Sequence, residues 1–264
     1  MADLTDSPFC QLVKDFDCPV VFREMISAEA IVRDNQRSFE RSALAPAERP
    51  LIQQQFGSDP ETIAQAIARL DQKDAPDGFD INMGCPVYKI VSNFNGAALM
   101  NEPERAAKII QQARAQTKAP ISVKIRLGWN DPRQCLEFVQ VLEDAGAALI
   151  SIHGRTKCQG YSGQADWKTV GQARAKVKIP VRVNGDIKDL SSARAALEQS
   201  LAAGVLIARG ALGNPWIFRQ LTAAFYGGCE SLAPTISDRL EIIKKHARLH
   251  LDHYGPGALI TFRK

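Results

Sequence analysis

The chain has no stretch approaching 18 consecutive apolar residues, and residues 1–8 carry two acids and no apolar run. The first absence argues against a transmembrane helix and the second against a secretory leader. Cys10, Cys18, Cys85, Cys135, Cys158 and Cys229 form no Cys-x-x-Cys pair and no Cys/His pair at metal-ligand spacing. No zinc site is therefore expected, and such irregular spacing in 264 residues points to reduced thiols instead of a disulfide framework. A cytoplasmic protein without metal or membrane attachment is the resulting expectation. No apolar segment leads into Gly-x-Gly-x-x-Gly, so dinucleotide binding of the doubly wound type has no support. Internal repeats and low-complexity tracts are also missing. The formal charge of +4 is compatible with a polyanionic partner without requiring one.

What is present is a rhythm. Short apolar, β-branched segments at 20–25, 50–56, 78–83, 121–127, 148–153, 181–184 and 204–208 read as strands. Helical patterns lie between them at 60–70, 102–116, 131–145, 167–176 and 190–199. Strand alternating with helix means parallel βαβ units, and near-continuous apolar strands mean a sheet covered on both faces. The predicted fold is a TIM (β/α)₈ barrel with seven strands visible. Gln54, Asn82, Lys124, His153, Asn184 and Arg209 fall at strand C-terminal ends, where a barrel builds its active site. After Trp216 the rhythm changes. Thr235 and Asp238 form a capping box for a helix over 237–253, with Leu240, Ile243, Ala247 and Leu251 on its apolar face.

Cys85, in Asp80-Ile-Asn-Met-Gly-Cys-Pro86, sits just past a strand that Pro86 brings to a stop. A lone thiol is commonly a packing residue, but at a barrel mouth a protonated thiol can serve as an acid. Lys124 and Arg126 share one face of their strand, and a buried Lys124 requires an anion, either Asp80 or a ligand. His153 and Arg155 follow at the next strand end, as ligand contacts or as satisfied polar residues. Asn184-Gly185-Asp186 alone reads as a turn. Paired with Ala208-Arg209-Gly210 one unit later, it forms a credible phosphate cradle.

The segments MADLTDSPF, DINMGCPVYKIVSNFNGAAL, VKIRLGW, IHGRTKCQGYSG, VNGDI and ARGALGNPWIF resemble the successive motifs of bacterial tRNA-dihydrouridine synthases. The resemblance runs from Met1 to about Arg219 and resumes weakly in HARLHLDHYG and FRK. It implies an FMN-dependent, NADPH-fuelled reduction of the uridine C5–C6 double bond in tRNA, with Cys85 as proton donor. It also implies flavin contacts from Met1, Ala2, Gln54, Lys124, His153, Asn184, Gly185 and Asp186, and a phosphate-binding dipeptide at Ala208-Arg209. Asn82, Arg126 and Arg155 are the expected substrate-binding residues.

Departures from the family pattern are Ala208 in place of glycine, and Leu201 and Ala203 in place of Gly and Asp. The family's first strand leads into the loop that here begins at Met1, so the expectation is a barrel short of one strand. Residues 1–225 are expected to form the FMN-binding barrel, and 226–264 the truncated beginning of a helical tRNA-binding domain. A monomer is expected. The alternatives are another FMN barrel oxidoreductase acting on a small pyrimidine, and an inactive truncated paralogue.

Overall fold

The computed structural model describes Met1, residues 4–227 and residues 233–262. Its frame is one parallel sheet: β1 (Val21–Phe22), β2 (Ile26–Ser27), β3 (Leu51–Phe56), β4 (Gly78–Met83), β5 (Ile121–Arg126), β6 (Leu149–His153), β7 (Val181–Asn184) and β8 (Gly204–Leu206). The strand order is β1-β3-β4-β5-β6-β7-β8, with β2 also paired to β3, and every pairing is parallel. The sheet curls as in a (β/α) barrel. Among the described residues no ladder joins β8 to β1. Across that seam the Arg182 guanidinium of β7 lies over the Phe22 ring of β1, 4.5 Å from its centroid.

Five of the seven expected strands lie within a residue of their expected ends. The segment at 20–25 instead divides into β1 and β2. Arg23 turns its side chain into a buried pair with Glu48, N–O 2.8 Å, and donates to the Ala43 and Arg41 carbonyls. Glu24 N donates to Thr5 O instead of continuing the ladder. The last strand stops at Leu206, two residues earlier than expected, because the chain turns at Ala208 into a 3₁₀ turn over Arg209–Ala211.

Helices α1 (Ser7–Lys14), α2 (Ala28–Val32) and α3 (Gln36–Ser42) precede β3, and their patterns are too short to stand out in the sequence. The crossovers are α4 (Pro60–Asp74) after β3, α5 (Tyr88–Val91) and α6 (Pro103–Gln116) after β4, α7 (Cys135–Asp144) after β5, α8 (Trp167–Arg174) after β6, and α9 (Leu190–Ser200) after β7. Side-chain caps at Asp59, Asp166 and Asp189 satisfy the first free N–H groups of α4, α8 and α9. The inner helix faces, such as Ile63, Ile67 and Leu70 of α4, meet fully buried Phe79, Ile81, Val123 and Ile150 of the strands. Each such side chain contributes roughly 1.5–3 kcal/mol by leaving water.

Two helices follow β8: α10 (Trp216–Tyr226) and α11 (Ile236–Tyr254). The capping box forms as expected, with Asp238 N donating to Thr235 Oγ1 and Thr235 N to Asp238 Oδ2. The buried face of α11 differs from the expected one: Leu240 and Ile243 are exposed, while His246 and His250 are buried. Phe9 of α1 stacks near His246 at 6.2 Å, and Lys245 pairs with Asp15 at 2.7 Å. Ile242 and Leu249 pack against the Leu12, Phe16 and Trp216 cluster, so the buried face is shifted from the expected one and shared by aliphatic residues and imidazoles.

Candidate active site

The C-terminal strand ends bring together the residues singled out from sequence, in three layers. Deepest is a polar chain inside the sheet. Ser122 Oγ and Gln54 Nε2 each donate to Asp80, at Oδ1 and Oδ2 respectively, both at 2.6 Å. Asn82 Nδ2 donates to Gln54 Oε1 at 2.9 Å, and Asn82 Oδ1 accepts from Gly84 N and Cys85 N at 3.1 and 2.9 Å. Burial raises the Asp80 carboxyl above its ordinary range, against the pull of Ser122 and Gln54. The Asn82 side chain therefore caps the turn that carries Cys85. An Asn three residues before a Cys is a recognisable Asx-type signal, and this role was missed in the sequence.

Cys85 is half-buried, just past β4, and its carbonyl accepts from Ala97 N at 3.1 Å. Beside it, Arg126 is only 3% exposed. Its Nε donates to Gly84 O at 2.8 Å, and its Nη1 to Thr156 O and Gly160 O at 2.9 and 2.7 Å. One guanidinium thus ties the Cys85 loop to the loop after β6.

The second layer is cationic. The Lys124 amine donates to Ile125 O at 3.3 Å, and among the described residues no carboxylate lies within ion-pair distance of it. Burial and repulsion from Arg126 pull Lys124 down to about 7, against the attraction of Asp80. Asp80 answers to Ser122 and Gln54 instead, so the sequence alternative in which it pairs with Lys124 is not what the fold adopts. His153 is buried, and its Nδ1 has no hydrogen-bond partner among the described residues. Burial, followed by the charges of Lys124, Arg126, Arg155 and Arg209, drives its pKa down to about 2, so the imidazole is neutral.

The third layer is the pair of loops after β6 and β7. Arg155, 3% exposed, donates through Nη1 and Nη2 to both Asp186 oxygens at 2.9 and 2.7 Å, through Nε to Ser162 O and through Nη2 to Gly163 O. Asp186 also accepts from Ala165 N at 2.8 Å. Partial burial works to raise this carboxyl, but the bonds from Arg155 and Ala165 N outweigh it and hold it below the usual range. Asn184 Nδ2 donates to Leu206 O at 2.7 Å, joining β7 to β8. Gly185, at φ 109°, would place a Cβ 3.2 Å from His153 Nε2, so a side chain there would crowd the imidazole. A Cβ on Gly210 would lie 2.2 Å from Ile187 O, so glycine lets the last two mouth loops touch.

Arg209 is exposed at the rim, with its guanidinium 4.4 Å from the centre of the Tyr161 ring. Tyr161 stands edge-on to His153 at 6.3 Å, with Arg126 5.5 Å away on its ring. Tyr161 is a further mouth residue that strand-end reasoning passed over; an aromatic between two glycines in Gln159-Gly-Tyr-Ser-Gly163 was its only trace. Met1 O accepts from Leu4 N and Thr5 N, while Ala2 lies outside the described residues. Of the cysteines, Cys229 is likewise outside them, and Cys10, Cys18, Cys85, Cys135 and Cys158 are free thiols. Among the described residues no group of three or more His, Cys, Asp or Glu is disposed to hold a metal. None of the described helices is long and apolar enough to cross a membrane.

Comparison with known proteins gives this arrangement a family. Among solved structures, the chain resembles an old yellow enzyme homologue from Zymomonas mobilis, with a TM-score of 0.54 at 12% identity over 90% of this chain and 86% of that one. It also resembles a 2-naphthoyl-CoA reductase, TM-score 0.64 at 10% identity over 89% and 52%. Both likenesses speak to the barrel fold alone. In sequence, proteins named probable tRNA-dihydrouridine synthase are 37% identical in Rickettsia conorii and 38% identical in Rhodobacter capsulatus. Each alignment covers 97% of this chain, with 77% and 79% of the relatives' lengths. A family model for dihydrouridine synthases matches residues 1–262. The chain belongs to the dihydrouridine synthase family, and it is an oxidoreductase acting on a CH–CH bond.

Proposed function

We propose that this protein reduces the C5–C6 double bond of a uridine in tRNA, using bound FMN, NADPH as reductant, and Cys85 as the proton donor. The observation that carries the proposal is the presence, at one barrel mouth, of a capped, half-buried thiol and a lysine with no ion-pair partner among the described residues. The residues present fit a flavin mononucleotide. Half-buried Lys124 and the Nδ1 of buried His153, which has no hydrogen-bond partner among the described residues, are polar groups suited to a polar ligand. Gly185, Ala208 and Arg209 line adjoining loops at the phosphate-binding end of a barrel, where Ala208 keeps the backbone N–H that a glycine would offer.

FMN held at this mouth and reduced by NADPH would supply hydride for uracil C6. The thiol of Cys85 gives its proton to C5, and the resulting thiolate is reprotonated from solvent. Lys124 stabilises negative charge at the flavin ring, and a neutral His153 donates or accepts a hydrogen bond without adding another cation. Asn184 and Gln54, at the C-terminal ends of β7 and β3, would contact the flavin, and Met1 and Ala2 would contribute from the N-terminal segment. Asn82, Arg126, Arg155 and Asp186 act through position: each spends its polar atoms on the loops bearing Cys85, His153 and Gly185. A uridine in folded tRNA has to leave its stack to reach this mouth.

The test is direct. Purified protein should show a flavin absorbance spectrum, or gain one with added FMN, and should form dihydrouridine on unmodified tRNA. Cys85→Ala should retain the flavin and lose dihydrouridine formation. Equal activity of the two proteins would remove Cys85 from its role, and absence of any flavin binding would remove the reaction.

A further inference from the structure

Immediately after Cys85 the chain leaves the barrel mouth as a short hook, Pro86 to Gly96, whose side chains the reaction does not use. The hook is built rigidly. Helix α5 closes with paired bonds from Asn95 N to Ile90 O and from Phe94 N to Val91 O. This is the double-bonded C-terminal motif in which the residue at the left-handed position is usually glycine. Here that residue is Phe94, at φ 56°. Its far end is anchored on the active loop, since Ala97 N donates to Cys85 O and a Cβ on Gly96 would lie 2.8 Å from that oxygen.

A phenylalanine in this conformation carries strain that a packed ring could offset. Phe94 is not packed: it is 61% exposed, with Tyr88 at 83% and Val87 at 55% on the same hook. The segment carries one cation, Lys89, and no acid. A rigid ledge of exposed rings, positively charged and continuous with the loop of the proton donor, matches an RNA strand with unpaired bases.

We propose that this hook is a nucleobase-stacking ledge on which Phe94, seconded by Tyr88, stacks an unpaired base of the tRNA beside the uridine presented to Cys85. The proposal rests on the tRNA reading above. Leu201 supplies an internal control, because it is also left-handed (φ 51°) and exposed, but lies in the turn before β8, at the opposite end of the strands.

The experiment measures equilibrium binding of unmodified tRNA to the full chain by filter binding, across a salt series. Phe94→Gly and Phe94→Leu should each raise Kd roughly tenfold, since stacking on one aromatic is worth about 1–3 kcal/mol per base. Phe94→Trp should restore affinity, and Leu201→Gly should bind as wild type. The slope of log Kd against log salt should stay unchanged, because no phosphate contact is lost. Undiminished binding by Phe94→Gly, an equal loss in Phe94→Trp, or a flattened salt slope overturns the ledge. If the wild type binds tRNA and forms dihydrouridine while Phe94→Gly binds equally well, the ledge alone fails. A wild type that does neither overturns the tRNA reading with it.

Discussion

Replacing Asp186 with Asn isolates what the crossed loops after β6 and β7 contribute. The variant keeps the shape and the left-handed backbone that Asn tolerates, at φ 58°, but removes the charge facing Arg155. Arg155 is 3% exposed and the Asp186 side chain 32% exposed. Removing one partner of a fully buried pair costs about 3–5 kcal/mol. Two features reduce this. The carboxylate is partly in water, and Arg155 keeps its bonds to the Ser162 and Gly163 carbonyls. We expect a loss of about 2 kcal/mol at neutral pH, a melting temperature lower by roughly 4–8 °C for a chain of this size. The pH dependence has a definite sign. The folded carboxyl titrates below its unfolded value, so its stabilisation is complete above about pH 4 and disappears as pH falls through the folded value. Urea unfolding of both proteins should therefore show a gap that holds from neutral pH down to about pH 4 and closes below it. No gap at neutral pH, or one that persists undiminished into acid, would refute the reasoning.

Two further outcomes concern the mouth. Burial and Arg126 hold Lys124 down at about 7, and no carboxylate pairs with it among the described residues, so binding an anionic flavin should draw a proton onto it and FMN affinity should fall as pH rises above about 7. Fluorescence titration across pH 6.5–9 checks this, in roughly half-unit steps; a flat wild-type profile, or one unchanged in Lys124→Met, counts against the assignment. Arg126→Met strips the donor from three carbonyls, Gly84, Thr156 and Gly160, and should cost about 3 kcal/mol of stability. It should also slow dihydrouridine formation roughly a hundredfold by loosening the Cys85 loop, and turnover at the wild-type rate well below both melting temperatures would contradict that.

Much of this architecture was legible because short β-branched segments alternate with helical ones, and a strand such as Ile121–Arg126 sets buried Ile121, Val123 and Ile125 on one face against Ser122, Lys124 and Arg126 on the other. Lys124 and His153 were visible for that reason. The pairing of Arg155 with Asp186 was not, since 31 residues and a whole βα unit separate them. Each looked like a ligand contact because sequence shows charge but not its partner. The segment at 20–25 misled through Arg23, whose burial depends on Glu48 and so on a contact outside any local pattern. On α11 the regular spacing of Leu240, Ile243 and Ala247 argued for a buried face, yet the face that packs carries Ile242, His246, Leu249 and His250, set by the Leu12, Phe16 and Trp216 cluster and by Phe9 beside His246, contacts remote in sequence. Phe94 was hidden as well, since a left-handed position announces itself only when glycine occupies it.

The hydrogen bonds running from Cys85 N through Asn82 and Gln54 to Asp80 all point the same way, each amide donating inward to the next acceptor. Reversing the Gln54 amide would break two bonds at once, and reversing Asn82 three. Only Ser122, at the far end, can turn around, since a hydroxyl both donates and accepts. Its Oγ also lies 3.3 Å from Phe79 O. When Asp80 takes up a proton, Ser122 can accept from it and redirect its own hydrogen to Phe79. The change of charge is then absorbed by a rotor at the floor of the barrel, and the turn that aims the thiol keeps its shape whether or not the core carboxyl is ionised.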